Sequence, residues 1–241
     1  MTVEEAKEKL AHFASKDRNR RGINNVRTLG KRAYATDGRI AFRVSLDSEQ
    51  DPNVDGFPVK AIDEFAECVD AVCDKDWMAM DWDKFMKVGE KFLDALRSYE
   101  VEQRANIRER YRRVECPCCG ADVYWDSGMD QLVELEDVEE VDYSPSHVDF
   151  PVRLNLQDGT FLDVAFGYLY LIRKAFGEEV LFSREIVKEG DIARLLLKAK
   201  NGEVKGVMMP LRTCDDRKSP KDTIDTHQAA EVCKENHGSE G

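Results

Sequence analysis

The stretch AHFASKDRNRRGINNVRTLGKRAYATDGRIAFRV, Ala11–Val44, decides the reading of the fold. In its second half, β-branched and aromatic residues flank Asp37-Gly38, a dipeptide suited to the positive φ angles of a tight hairpin turn. Strands are therefore expected on either side, with Tyr34-Ala35 entering the turn and Ile40-Ala41-Phe42 leaving it. Upstream, Thr2 and Glu5 have capping-box spacing, and Val3, Ala6, Leu10, Phe13 and Ala14 recur on one face of an amphipathic helix. Lys7 and Lys9 lie off that face, and the basic turn Lys16, Arg18, Arg20 and Arg21 follows. The N-terminal unit thus reads helix, strand, hairpin, closed by a polar loop over Leu46–Gly56.

The other end repeats that order. Val152, Leu154 and Leu156 alternate, Asp158-Gly159 makes a turn, and Phe161–Phe166 completes a hairpin. GYLYLIRKAFG, Gly167–Gly177, reads as a short apolar helix carrying Arg173 and Lys174 and stopped by glycine. Val180-Leu181-Phe182 follows as a strand, then ARLLLKA and VKGVMMPL flank Asn201-Gly202, a strong hairpin signal. Two αβββ half-repeats of this kind can set their helices side by side on one face of a curved antiparallel sheet, an α+β domain. They would occupy residues 1–57 and 150–212, separated by a helical insertion over 58–149. In that insertion Ile62, Phe65, Ala66, Val69 and Val72 mark one helix, and Phe85, Val88, Phe92, Leu96 and Tyr99 a second that runs on towards Tyr111. Trp77, Trp82 and Trp125 read as packing residues around them. From Thr213 apolar residues nearly vanish, so 213–241 reads as a disordered tail.

The segment Ala11–Val44 resembles the ATDG hairpin region of bacterial DNA polymerase III β sliding clamps, and is similar above all to clamp-like proteins of bacteriophages and prophages. GVMMPLR, Gly206–Arg212, is similar to the MPMR-type ending of those clamps. The resemblance covers Met1–Val44 and Pro151–Arg212, under half the chain. It implies a non-catalytic DNA-replication accessory protein, oligomeric, with double-stranded DNA or a replication protein as partner. A clamp subunit carries several such domains, whereas this chain has room for one. In a clamp the helices line the DNA hole, which implies phosphate contacts from Lys7, Lys9, Arg18, Arg20 and Arg21 at the first helix and from Arg173 and Lys174 at the second.

Charge sharpens this expectation. The formal net charge is −12, from 36 basic and 48 acidic residues, which argues against DNA until its distribution is read. Between Arg113 and Arg153 no Lys or Arg occurs, while eleven acids run from Glu115 to Asp149. Without that stretch, 36 basic residues face 37 acids. Just before it, Arg104, Arg108, Arg110, Arg112 and Arg113 form a second basic block, an alternative DNA surface. Both runs also read as simple solvated faces.

Seven cysteines, an odd number, point to thiols or metal rather than a disulfide framework. In CPCCG, Cys116 and Cys119 have the C-x2-C spacing that lets two thiolates meet one zinc ion. A tetrahedral site needs two more donors, for which His147, Cys214, Cys233 and His237 are available and Cys118 is a substitute. Zinc held within one chain, a ribbon without metal, and zinc shared between chains all fit the spacing. Cys68 and Cys73 read as core residues.

No phosphate-binding glycine loop, nucleophile elbow or H-E-x-x-H pattern occurs, and the four histidines offer few general bases. A non-enzyme is expected. A zinc-ribbon-like interaction module that does not bind DNA is the alternative, and a metal-dependent hydrolase using the acidic segment the outsider. No apolar run approaches the ~18 residues of a membrane span, and MTVEEAKEKL is charged from its fourth residue, so a cytoplasmic protein is expected, in the host cytoplasm if phage-encoded.

Overall fold

Thr2 caps the first helix, α1 (Val3–Leu10), by accepting the Glu5 N–H on its Oγ1 at 3.2 Å, and Val3, Ala6 and Leu10 turn inward. The computed structural model that shows this describes residues 1–17, 20, 22–133, 150–185, 193–211 and 220–229. The chain continues through β1 (Arg27–Thr36) and β2 (Ile40–Asn53) to α2 (Val59–Ala71), β3 (Met78–Met80) and α3 (Trp82–Arg110). A small hairpin region follows, β4 (Tyr111–Glu115), β5 (Asp122–Asp126) and β6 (Gln131–Val133). Next come β7 (Pro151–Asn155), β8 (Phe161–Ala165), α4 (Phe166–Phe176) and β9 (Val180–Arg184), and then β10 (Leu195–Ala199), β11 (Val204–Met208) and β12 (Thr223–Gln228). No described helix is both long and apolar enough to cross a membrane.

Nine strands form one sheet in the order β1-β2-β11-β10-β9-β3-β12-β7-β8, and β4-β5-β6 form a second. The two hairpins read from Asp37-Gly38 and Asn201-Gly202 lie side by side, because β2 pairs antiparallel with β11 from Val44↔Val204 to Ile40↔Met208. The fold is mixed α+β, as expected, but several details differ from the sequence reading.

First, α1 and α4 share one face of the sheet, but α2, read as part of the insertion, covers the other face. On one side α1, α4 and the first half of α3 cover Ala35, Ile40, Phe42, Val44, Phe182 and Leu197. On the other, Ile62 and Val69 of α2 pack with Tyr34, Ala41, Trp77, Leu196 and Val207. Strands such as AYAT, IAF and LLL are apolar at consecutive positions because both of their faces are buried. Second, the sheet is not wholly antiparallel: β12 runs parallel to β7, Ile224 opposite Leu154.

Third, that same strand lies inside the segment expected to be a disordered tail. β12 slots between β3 and β7, and Ile224 is fully buried. Its polar neighbours are matched rather than merely solvated: Asp225 pairs with Lys84, Asp222 with Lys91, and Thr226 Oγ1 donates to the Asn155 carbonyl at 2.9 Å. The rest of 213–241 lies outside the described residues, apart from 220–229. Fourth, residues 58–149 do not stand apart as an insertion. β3 lies between β9 and β12, and α2 supplies a core; only the second half of α3 and β4–β6 leave the main body, since no α3 residue after Phe92 is fully buried. The loop expected from Leu46 is mostly the continuation of β2, bulged against Gly30, whose φ of 57° is open to glycine. The strand expected before the first hairpin is simply the start of β1.

The junction of the two hairpins has no spare room. Gly206 faces Phe42 across β2–β11, and a Cβ there would sit 2.5 and 2.6 Å from ring carbons of Phe42. That ring is itself wedged between Phe13 and Phe176, at centroid distances of 4.5 and 5.2 Å. Gly206→Ala is therefore expected to destabilise the chain by about 1–3 kcal/mol through overpacking, read as a lower urea midpoint. An unchanged midpoint would mean that the hairpins do not meet in this register.

Candidate functional site

The Asp37-Gly38 turn is built by local hydrogen bonds. Asp37 Oδ1 accepts the N–H groups of Arg39 and Ile40 at 2.8 and 3.0 Å, and Thr36 Oγ1 accepts that of Gly38 at 3.0 Å while donating to the Ile40 carbonyl at 2.7 Å. The other carboxylate oxygen of Asp37 accepts the Tyr168 hydroxyl of α4 at 2.6 Å. Burial first, and then the adjacent Asp37 charge, hold that phenol well above the usual tyrosine range. Arg20 Nη1 donates to the Asp37 carbonyl at 3.1 Å, so Arg20 is engaged at the turn and paired with Asp17 at 3.7 Å. The Met209 N–H, just beyond β11, donates to the Arg39 carbonyl at 2.8 Å. The ATDG and GVMMPL segments are thus spatial neighbours, and Asp37 organises the turn. Arg212 lies outside the described residues.

The cationic residues of the first and last helices divide into two groups. Phe13 and Phe176 stack at 5.8 Å and bring the end of α1 against α4. There, the charges of Lys174 on α4 and Lys16 beyond α1 both act on the half-buried His12. Burial and then these two cations depress the His12 imidazole below its usual pKa, with Glu8 opposing. Lys7, Lys16 and Lys174 are exposed and form no ion pair among the described residues. Lys9 belongs elsewhere: it pairs with Glu5 at 2.8 Å and lines a small cleft with Glu179 and Glu203. Arg173 pairs with Glu178, and its guanidinium lies 5.8 Å from the rings of Trp82 and Phe85. Arg18 and Arg21 lie outside the described residues.

The arginine block is less available than its density in sequence suggests. Arg104 pairs with Glu100 at 2.9 Å, Arg113 with Asp122, and Arg110 meets both oxygens of Asp126 at 3.0 and 3.1 Å. Asp126 is 2% exposed, and Arg110 together with the N–H groups of Gly128 and Met129 keeps its carboxyl below the ordinary range. Arg108 and Arg112 are exposed, with no ion pair to a described residue.

Cys116–Gly120 forms the turn between β4 and β5. The Cys116 N–H donates to the Ala121 carbonyl at 2.8 Å, its carbonyl accepts the Gly120 N–H at 2.9 Å, and Gly120 takes a φ of 72°. The amides of Cys118 and then Cys119 face the Cys116 sulfur and lower its thiol pKa. Cys116 is half-buried, while Cys118 and Cys119 are exposed. Among the described residues no third His, Cys, Asp or Glu joins Cys116 and Cys119 in a metal-sized group, and His147, Cys214, Cys233 and His237 lie outside them. Cys73 is exposed rather than a core residue; Cys68 packs at the edge of the α2 core.

A cleft of about 530 Å³ that sequence reasoning did not anticipate opens beside β3 and β9. Met78 and Leu156 line it with charges of both signs, Lys75, Arg184, Asp76 and Asp158. Its residues come from three separated segments with no shared motif, so no sequence signal marked it.

No protein-family model matches the chain, and no curated protein matches it significantly. Among solved structures, the chain is similar to the DNA polymerase III beta subunit of Thermotoga maritima, with a TM-score of 0.40 and 13% identity, over 88% of this chain and 64% of that one. The chain therefore spans less than two thirds of that protein.

The surroundings of His12 can be read by titration. Because its folded pKa is depressed, His12 takes up a proton less readily folded than unfolded, so stability falls as pH drops through the unfolded value of about 6.5. By NMR, His12 is expected to titrate below about 6.5. Lys174→Ala should raise that midpoint without restoring it fully, since burial is the larger cause. An unchanged midpoint would show that Lys174 does not sit beside His12.

Proposed function

We propose that the chain is a non-catalytic, clamp-like DNA-associated protein of replication, of the phage or prophage type its motifs resemble, that works as an assembly of copies and rests on the duplex backbone through the edge where α1 meets α4. The observation that carries this reading is the Phe13–Phe176 stack, which joins the two segments that carry the exposed Lys7, Lys16 and Lys174. These cations, from segments distant in sequence, are exposed and have no acid partner among the described residues. Phosphate contact requires charge and position but no base recognition. The adjacency of the ATDG and GVMMPL segments at β2–β11 supports the resemblance.

A second reading, an interaction module that does not bind DNA, is favoured by one observation: three of the five block arginines are already paired with acids. Titration of a labelled duplex at about 50 and 200 mM salt separates the two. Replacing Lys7, Lys16 and Lys174 with Ala should reduce the salt slope by about 0.9 for each phosphate no longer neutralised, whereas Arg108→Ala with Arg112→Ala should leave it nearly unchanged. The unmodified chain should have a solution mass by light scattering of at least twice 27.5 kDa, and a mass of one chain would remove the assembly. No binding at low salt, or a slope that follows the arginine pair instead, would remove the α1–α4 surface as the DNA contact and leave a protein partner as the better reading.

A further inference from the structure

The head formed by β4, β5 and β6 has two unlike faces. Cross-strand register sets Arg112 opposite Trp125, Val114 opposite Val123, and Trp125 opposite Leu132, so these five side chains share one face. The other face carries Tyr111, Arg113, Glu115, Asp122, Tyr124 and Asp126. All three acids of the strands therefore fall on that second face, where Asp122 pairs with Arg113 and Asp126 with Arg110. Tyr111 and Asp126 are buried there, with the Arg110 guanidinium 5.1 Å from the Tyr111 ring, so on this side the head closes on itself. The first face stays open. Val114, Val123 and Trp125 are half-buried, Leu132 is 41% exposed, and the exposed Arg112 forms no ion pair among the described residues. None of the five belongs to either core of the main body.

Size and charge together say what this face can take. Trp and Arg are the side chains that most often anchor protein contacts. Five side chains are far fewer than the about 20–30 residues a side of a standard interface, so the face fits a short segment rather than a folded domain. An apolar segment seated on Val114, Val123, Trp125 and Leu132 would also cover the Arg112 guanidinium, and a charge buried without a partner is costly. No acid on this face can answer it, so the segment itself must bring a carboxylate, which would reach Arg112 through charge-assisted hydrogen bonds. We infer that the Trp125 face of the head is a docking site for an acidic, apolar peptide segment of a partner protein. Single-stranded nucleic acid fits less well, because it calls for a track of cations and successive stacking rings, and this face offers one of each. The same face of a second copy would set two Arg112 side chains against each other. The contact lies on the head and goes beyond the duplex surface proposed where α1 meets α4.

The test selects short random peptides, displayed on phage, against the immobilised full chain. Enriched peptides are expected to combine apolar residues with Asp or Glu, and one of them, synthesised with a fluorescent label, is the probe for anisotropy titration. Trp125→Ala and Arg112→Glu should each weaken its binding by about tenfold or more, the loss expected for an anchor residue. Because Trp125→Ala can unfold the head, a charge exchange supplies an independent measurement. A probe with its acids changed to Lys should bind the Arg112→Glu chain and not the unmodified one. Binding of the original probe should persist when Lys7, Lys16 and Lys174 are all Ala, so this site and the α1–α4 surface can each fail alone. The inference is overturned if no acidic peptide is enriched, if Arg112→Glu leaves its affinity unchanged, or if the exchanged pair fails to bind. Displacement of the probe by single-stranded oligothymidylate would assign the face to nucleic acid instead, and a fall in solution mass on Arg112→Glu would assign it to a second copy. A probe that binds only after the acids of residues 134–149 are changed to Ser would overturn it too, since the chain would then be its own occupant.

Discussion

The carboxylate of Asp37 is the constraint on which the rest of the main body depends. One oxygen closes the β1–β2 turn by accepting two backbone N–H groups, and the other accepts the Tyr168 hydroxyl from α4. A single side chain thus fixes both the hairpin and the helix that packs over it. A hydrogen bond to a charged group contributes about 1.5–3 kcal/mol, and leaving either partner buried alone would cost comparably. The helix held at this point also carries Phe176, which stacks on Phe13, and Lys174, whose charge acts on His12. The candidate DNA contact is in this sense a product of the turn chemistry rather than of the helices alone.

Features set by neighbouring residues were legible in the sequence. The Asp37-Gly38 and Asn201-Gly202 turns, the Thr2 cap of α1 and the glycine stop after α4 each depend on a few adjacent positions. What escaped depends on partners distant in the chain. β12 has one large apolar residue, Ile224, and draws its remaining support from Lys84, Lys91 and Asn155, up to 141 residues away. Placing α2 on the opposite face required reading LLL and IAF as buried on both sides, a pattern that periodicity alone does not separate from a buried helix.

The candidate sites divide in the same way. The cysteine turn was visible because its spacing is local. The quenching of Arg110 by Asp126, 16 residues on, was not, and neither was the joint influence of Lys16 and Lys174 on His12. A count of charges in sequence therefore ranked the arginine block too high. Five arginines in ten positions become two exposed guanidinium groups without a described acid partner. Lys16 and Lys174, from opposite ends of the main body's sequence, remain open to solvent.

The position of β12 also bears on the order in which the chain can mature. It occupies an interior slot of the sheet, yet it emerges from the ribosome after every other described strand. Until residues 223–228 arrive, β3 and β7 present unpaired edges towards each other, and Ile224 is missing from the core. Vectorial synthesis therefore leaves a nearly complete sheet split in two, waiting for a contact of high sequence separation, which is slow to form. During that wait the open edges are templates for a neighbouring chain. A nascent copy could accept β12 from another molecule as readily as its own, so the same gap that delays folding offers a route to strand exchange between copies.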